Sequence, residues 1–218
     1  MSTVAVLAGE VHANKVSKTI DTTTLLLPTS VHAKPGQCVV LRGANGSGKT
    51  TLLRIIGGLL DPTEGTATIG GVRADERIPS IRAAVGALLG TPTTYRDLTL
   101  IDHLVLIDST WGHDPNTSDA RGLELMGRLG IEHLHDRFPH ELSSGQQQLF
   151  RLALTFARPA AVVLLDEPEQ RLDTDKRGVV AEMIRDRAKA GATVVMACHD
   201  PDMTQSLASA VVDIIPAR

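Results

Sequence analysis

The sequence predicts an α/β fold: a mostly parallel sheet with helices on both faces, an antiparallel β region at the N-terminus and an inserted α-helical subdomain. Residues 1–41 alternate short apolar runs with turn residues as far as Pro35-Gly36, the pattern of antiparallel strands. From Cys38 onward, short uninterrupted apolar runs alternate with segments of helical spacing, as buried parallel strands and their crossovers do. Residues 97–158 are the exception, carrying helical patterns broken by Gly112, Pro115, Gly130 and Pro139.

Cys38–Leu41 reads as a short strand feeding a Gly-rich loop, followed by a helix with Leu52, Leu53, Ile55, Ile56, Leu59 and Leu60 on its apolar face and Asp61-Pro62 as its stop. Thr66–Ile69 is a further strand, closed by Gly70-Gly71. Leu98–Ile107, Asp119–Leu129 and Gln146–Ala157 form the helical insertion. Ala161–Leu165 is a central strand, Lys176–Ala190 a helix ended by Gly191, and Thr193–Cys198 and Val211–Ile215 are the closing strands. The expected organisation is a single domain over 1–218, with a β/α core of 1–92 and 159–218 and a helical subdomain of 93–158.

Composition narrows the function. A net charge of −3 offers no broad basic surface, and 2% aromatic residues leave few platforms for base stacking, so nucleic acid is not expected as a partner. No apolar stretch approaches the roughly 20 residues needed to span a bilayer. The opening residues lack a basic region followed by an apolar one, so no signal peptide is expected. Cys38 and Cys198 each sit in an apolar run and read as buried free thiols, which suits a reducing cytoplasm. His133, His135 and His140 lie close in sequence but match no standard metal spacing and read as a solvated surface group.

The chemistry starts at Gly43-Ala44-Asn45-Gly46-Ser47-Gly48-Lys49-Thr50, a full match to G-x-x-x-x-G-K-[ST] between a strand and a helix. Glycines there let consecutive N–H groups face phosphate oxygens, and the helix adds the positive end of its dipole. Lys49 supplies a point charge for the β- and γ-phosphates, Thr50 a hydroxyl for Mg2+, and Thr51 adjoins them in the first helical turn. Downstream, Val162-Val163-Leu164-Leu165-Asp166-Glu167 is an apolar strand ending in two acids. Placed beside the strand that feeds the loop, it would bring Asp166 to the magnesium ion and Glu167 to the attacking water. This combination predicts a nucleotide triphosphatase core of the phosphate-loop kind.

Leu142-Ser143-Ser144-Gly145-Gln146-Gln147-Gln148 resembles the LSGGQ signature of ATP-binding-cassette (ABC) ATPases, with Ser144 in place of one glycine. Asp173, in Gln170-Arg171-Leu172-Asp173, looks like the D-loop aspartate, and His199, after the Thr193–Cys198 strand, like the switch histidine. The resemblance covers nearly the whole chain. It implies a head-to-tail dimer of cassettes, with ATP and Mg2+ between the phosphate loop of one copy and Ser143, Ser144, Gly145 and Gln146 of the other. These signature residues would sit just ahead of a helix starting near Gln146. Lys49, Glu167 and His199 are the implied catalytic residues.

The resemblance also implies an ATPase subunit on the cytoplasmic face of the cell membrane, energising transport through a separate membrane-spanning permease. The lack of an appended regulatory domain leans towards an exporter. A soluble non-transport ATPase, or a weakly hydrolytic cassette paired with a more active one, are the alternatives.

Besides Ser144, the sequence departs from the family pattern in three further places. The loop glutamine that touches Mg2+ falls on Gly90, with Thr91 or a water as its substitute. The aromatic that stacks on adenine falls on Ile20, which can pack on a base without stacking and predicts weaker discrimination among purine nucleotides. Leu149 stands where an arginine often follows the signature glutamines, and Arg151 lies two places on.

Overall fold

The computed structural model describes residues 7–90 and 94–217. Its centre is a five-stranded sheet built from β3 (Cys38–Arg42), β6 (Val85–Leu88), β7 (Val162–Asp166), β8 (Thr193–Ala197) and β9 (Ala210–Asp213). The strands run in the order β6-β7-β8-β3-β9 and all pairings are parallel. A second, antiparallel sheet has the order β2-β1-β4-β5, from β1 (Val11–Ile20), β2 (Thr23–Ala33), β4 (Glu64–Ile69) and β5 (Val72–Arg73).

Strand alternation divides the apolar residues between two cores. Cys38, Val40, Val163, Leu165, Val194 and Met196 face one core, shared with α3 (Leu100–Thr110), α4 (Ser118–Arg128), α5 (Ser144–Phe156) and α6 (Thr174–Lys189). Val39, Leu41, Val162, Leu164, Val195 and Ala197 face the other, shared with α1 (Lys49–Ile56), α2 (Pro79–Ala84) and the antiparallel sheet. A strand buried on both faces has no polar side to alternate with, which is why these runs are continuously apolar in sequence. The second face is thus covered by a sheet as well as by helices, where helices alone were expected.

Several boundaries shift for local reasons. The helix after the phosphate loop ends at Ile56 rather than running to Leu60, because Gly57 caps it and Gly58 turns left-handed at φ 73°. The helix expected from Gln146 starts at Ser144, because Ser143 is its N-cap in a reciprocal capping box with Gln146. Strand β6 was not anticipated, since Val-Gly-Ala-Leu is too short and glycine-interrupted to signal itself. Helix α7 (Pro201–Leu207) was also missed; it opens on an Asp200 cap that accepts from Met203 N–H at 2.8 Å.

Both cysteines are free and buried, and burial pushes each thiol up to about 12. Phe150 on α5 is buried where the helical segment meets the sheet and packs edge-on against His103, with ring centroids 5.6 Å apart. Phe150→Ala is expected to lower unfolding stability by about 3–5 kcal/mol, the cost of a buried ring and its cavity, as measured by denaturant titration.

Candidate active site

The loop Gly43–Thr50 leaves β3 and enters α1. Gly48, with φ 104°, sits in the left-handed region. A Cβ there would lie 2.6 Å from the Leu25 carbonyl oxygen, so β2 closes directly on the loop. Ala44, Asn45 and Gly46 are exposed, and the Ser47 N–H closes a turn on the Ala44 carbonyl at 3.2 Å. Ser47 Oγ is buried and has no hydrogen-bond partner among the described residues. Lys49 is buried, its Nζ donating to the carbonyls of Gly43 at 2.8 Å and Ala44 at 3.0 Å. Thr50 and Thr51 occupy the first turn of α1.

Thr50 Oγ1 donates to Asp166 Oδ2 at 2.6 Å, across 116 residues of sequence. The route differs from the one expected. The acidic strand β7 is not beside β3, because β8 lies between them. The loop reaches Asp166 because α1 leans over the sheet, close enough that a Cβ on Gly57 would touch Leu164 Cδ1 at 3.1 Å. A hydroxyl and a carboxylate at this separation form a hard-oxygen pair of the kind magnesium takes, so the residues present fit that ion.

Glu167 follows β7 in a left-handed conformation, φ 51°, which costs a non-glycine residue about 1–3 kcal/mol. Its N–H donates to the Ala197 carbonyl at 2.9 Å. Its carboxylate accepts from Gln170 Nε2 at 2.8 Å and lies 3.3 Å from His199 Nε2. His199 follows β8, and its own N–H donates to Glu169 Oε1 at 2.6 Å. Asp173 is the N-cap of α6, accepting from Lys176 N–H at 2.8 Å. Nearby, Asp200 is held below the usual carboxylate range by the Met203 N–H and then by Arg177.

Ser143 accepts from Gln146 N–H at 3.4 Å and its own N–H donates to Gln146 Oε1 at 2.9 Å. Ser144, Gly145 and Gln146 are therefore inside the first turn of α5 rather than ahead of it. First-turn amides have no partner within their own helix, and the dipole's positive end lies there.

The helix also reaches back to the acidic strand. Gln148 is buried, and its Nε2 donates to the carbonyls of Glu167 at 3.1 Å and Pro168 at 3.2 Å. Arg151 donates to Gln148 Oε1 at 3.1 Å and, with its other terminal nitrogen, to the Gly90 carbonyl. Burial, followed by the like charge of Arg171, holds the Arg151 guanidinium below its ordinary value. Leu149 is a core residue. Thr91 lies outside the described residues.

Ile20 ends β1 opposite Thr23, 48% exposed, on the hairpin whose second strand carries Leu25 to the phosphate loop. Gln148 and Glu169 were not foreseen as site residues. Gln148 looked like one more polar residue after the signature, although its spacing four residues ahead of the buried Leu152 sets it on the inner face of α5. Glu169 is buried despite its charge, and only the fold reveals that it faces a backbone N–H.

Fold and site together define a nucleotide-binding cassette of the phosphate-loop ATPases. The ABC transporter family model matches residues 26–170. A putative hemin import ATP-binding protein, HrtA, of Staphylococcus epidermidis (strain RP62A) is 34% identical over 186 residues, covering 83% of this chain and 84% of the relative. The protein of the same name from Staphylococcus aureus (strain Newman) is 32% identical over 183 residues, covering 82% and 83%. Among solved structures, an ATP-binding subunit of an ABC transporter superposes with a TM-score of 0.85 at 24% identity, over 94% of this chain and 86% of that one. The dimeric bacterial ABC transporter cassette MJ0796 superposes at 0.84 and 24% identity, over 94% of each. The chain belongs to the ABC transporter family, as the ATP-binding subunit of a transporter, and its activity is ATP hydrolysis coupled to transport. The lean towards export finds no support in these relatives, whose names specify import.

Gln148→Leu would leave the Glu167 and Pro168 carbonyls buried without their donor, at about 1–3 kcal/mol for each unpaired group. Steady-state kinetics are expected to show kcat reduced roughly tenfold or more, with KM for ATP little changed.

Proposed function

We propose that this chain is the magnesium-dependent ATPase of a transporter, closing on ATP as a head-to-tail dimer on the cytoplasmic face of a membrane and driving a separate membrane-spanning permease. The observation that carries this reading is the meeting of the Gly43–Thr50 loop, the Asp166-Glu167 pair and His199 at the carboxyl ends of the parallel strands, with Thr50 hydrogen-bonded to Asp166 at 2.6 Å. Among the described residues no helix is long and apolar enough to cross a membrane. In this reading the core comprises 1–92 and 159–218, and 93–158 is the helical subdomain.

Residues Gly43 to Thr51 bind the phosphates, with Lys49 placing its charge on the terminal ones, and Ile20 packs against the base. Thr50 and Asp166 would hold Mg2+, which neutralises phosphate charge when bound. Glu167 accepts the proton of the attacking water as its oxygen bonds to the γ-phosphorus and the bond to the β–γ bridging oxygen breaks, leaving ADP and phosphate. His199, 3.3 Å from that carboxylate, orients the water and the γ-phosphate. Ser143, Ser144, Gly145 and Gln146 of the partner copy close the site from the other side, and Asp173 lies at the same interface. Support for the trans role comes from the exposed Ser143 and Ser144 at the start of α5 and from the helix dipole.

A weakly hydrolytic cassette is the second reading, favoured by Gly90, which has no side chain to offer at the glutamine position. Phosphate release by the purified chain separates the two. Cargo is chosen by the permease in this reading, and the names of the relatives make hemin the first cargo to assay.

Lys49→Ala is expected to weaken ATP binding about 10- to 100-fold, the worth of a charge-assisted contact of roughly 1.5–3 kcal/mol, in equilibrium titration. Glu167→Gln is expected to lower turnover by about 10²–10⁴ while accumulating an ATP-bound dimer on size-exclusion chromatography. Wild-type turnover in that variant would remove Glu167 from the chemistry.

A further inference from the structure

Away from the nucleotide site, the exposed face of the antiparallel sheet gathers Glu10, His12 and His32. His12 and His32 are direct cross-strand partners on β1 and β2, and their rings lie face to face with centroids 3.9 Å apart and planes tilted by 31°. Glu10 precedes β1 and shares its face with His12, two residues on. Its Oε1 lies 2.9 Å from His32 Nε2 and 3.4 Å from His12 Nε2. Among the described residues this is the only group of three His, Cys, Asp or Glu side chains whose donor atoms all lie within 4.8 Å of one another. His133, His135 and His140 form no such group.

We propose that Glu10, His12 and His32 form a binding site for a divalent transition metal ion of the zinc class. Two imidazoles and a carboxylate are a common three-ligand set for zinc, with the fourth position left to water. The spacing fits. Zinc–ligand bonds of about 2.0–2.1 Å place the corners of a tetrahedron roughly 3.3 Å apart, and the two carboxylate–imidazole separations bracket that value.

Backbone register supplies the preorganisation. Pairing of His12 with His32 is fixed by the flanking pairs Val11–Ala33 and Ala13–Val31, whose side chains are buried beneath the sheet. A one-residue slip of either strand would turn its imidazole inward and part the pair. His12 is eight residues from Ile20, about 26 Å along the strand at roughly 3.3 Å per residue, so the site lies at the other end of β1 from the residue proposed to meet the base. A bound ion would staple β1 to β2 at the end of the hairpin remote from ATP.

The test is titration of nucleotide-free, tag-free protein with Zn2+ against a chromophoric chelator, for wild type, His12→Ala, His32→Ala and, as a control on the magnesium ligands, Asp166→Asn. Wild type and Asp166→Asn are expected to bind one equivalent, and each histidine variant to bind at least roughly tenfold more weakly. Thermal melts with and without Zn2+ give a second readout: the ion should raise the midpoint of wild type and leave the histidine variants unmoved. Both histidines are exposed, so the variants should melt like wild type without metal. Titrations of the histidine variants that superimpose on wild type, or no saturable equivalent in wild type, would overturn the site.

Discussion

Leu41, Ala197 and Asp166 stand in register across β3, β8 and β7, and the groups proposed to act on phosphate hang from the end of that row. Parallel pairing sends every strand out of the sheet at the same end. Three segments distant in sequence, the loop after β3, the acids at the end of β7 and the histidine after β8, therefore arrive together. The backbone joins the last two directly, since Glu167 N–H bonds to the Ala197 carbonyl one residue before Cys198-His199. The phosphate loop reaches the acids by a different route, through α1 leaning across β8 to place Thr50 on Asp166. Burial of the sheet on both faces makes this placement rigid, because a shift of one strand would disturb two cores at once.

Rigidity of that kind is what lets Glu167 keep an unfavourable backbone. Its left-handed φ turns the chain sharply out of β7, so that Asp166 and Glu167 point to different places. The conformation is over-determined by contacts from separate elements: Ala197 of β8 holds the amide, Gln148 of α5 holds the carbonyl, and Gln170 and His199 meet the carboxylate. Strain persists where the surroundings fix it from several sides. Glu169 extends the arrangement by taking the His199 amide, so the histidine is placed through its main chain as well as its ring.

Local chemistry was legible in the sequence and spatial order was not. The phosphate loop announces itself because its glycines, lysine and threonine act within eight consecutive positions, and the acidic strand because the four apolar residues Val162–Leu165 end in two carboxylates. Ser143 also carried its own signal, since a serine three residues ahead of a glutamine is a capping box. Reading that box would have moved the start of α5 to Ser144. By contrast, nothing in Val85–Leu88 marks it as the edge strand beside β7, and no local rule reveals that β8 intervenes between β3 and β7. Gln148 and Glu169 escaped for the same reason. Each is polar, each is buried, and each earns its place through a backbone group that folding brings from elsewhere.

Gly90 offers only its main chain to its neighbours. The structure uses that main chain: the Gly90 carbonyl accepts from Arg151, Arg151 donates to Gln148, and Gln148 donates to the carbonyl of Glu167. Arginine suits the middle of this bridge because its planar fork donates in two directions at once. With Leu149 turned into the core, Arg151 is the residue of α5 that faces Gly90. The segment at Gly90 is therefore tied to the strained glutamate through two side chains of α5, and the helix capped by Ser143 is the same one that holds Glu167 in place.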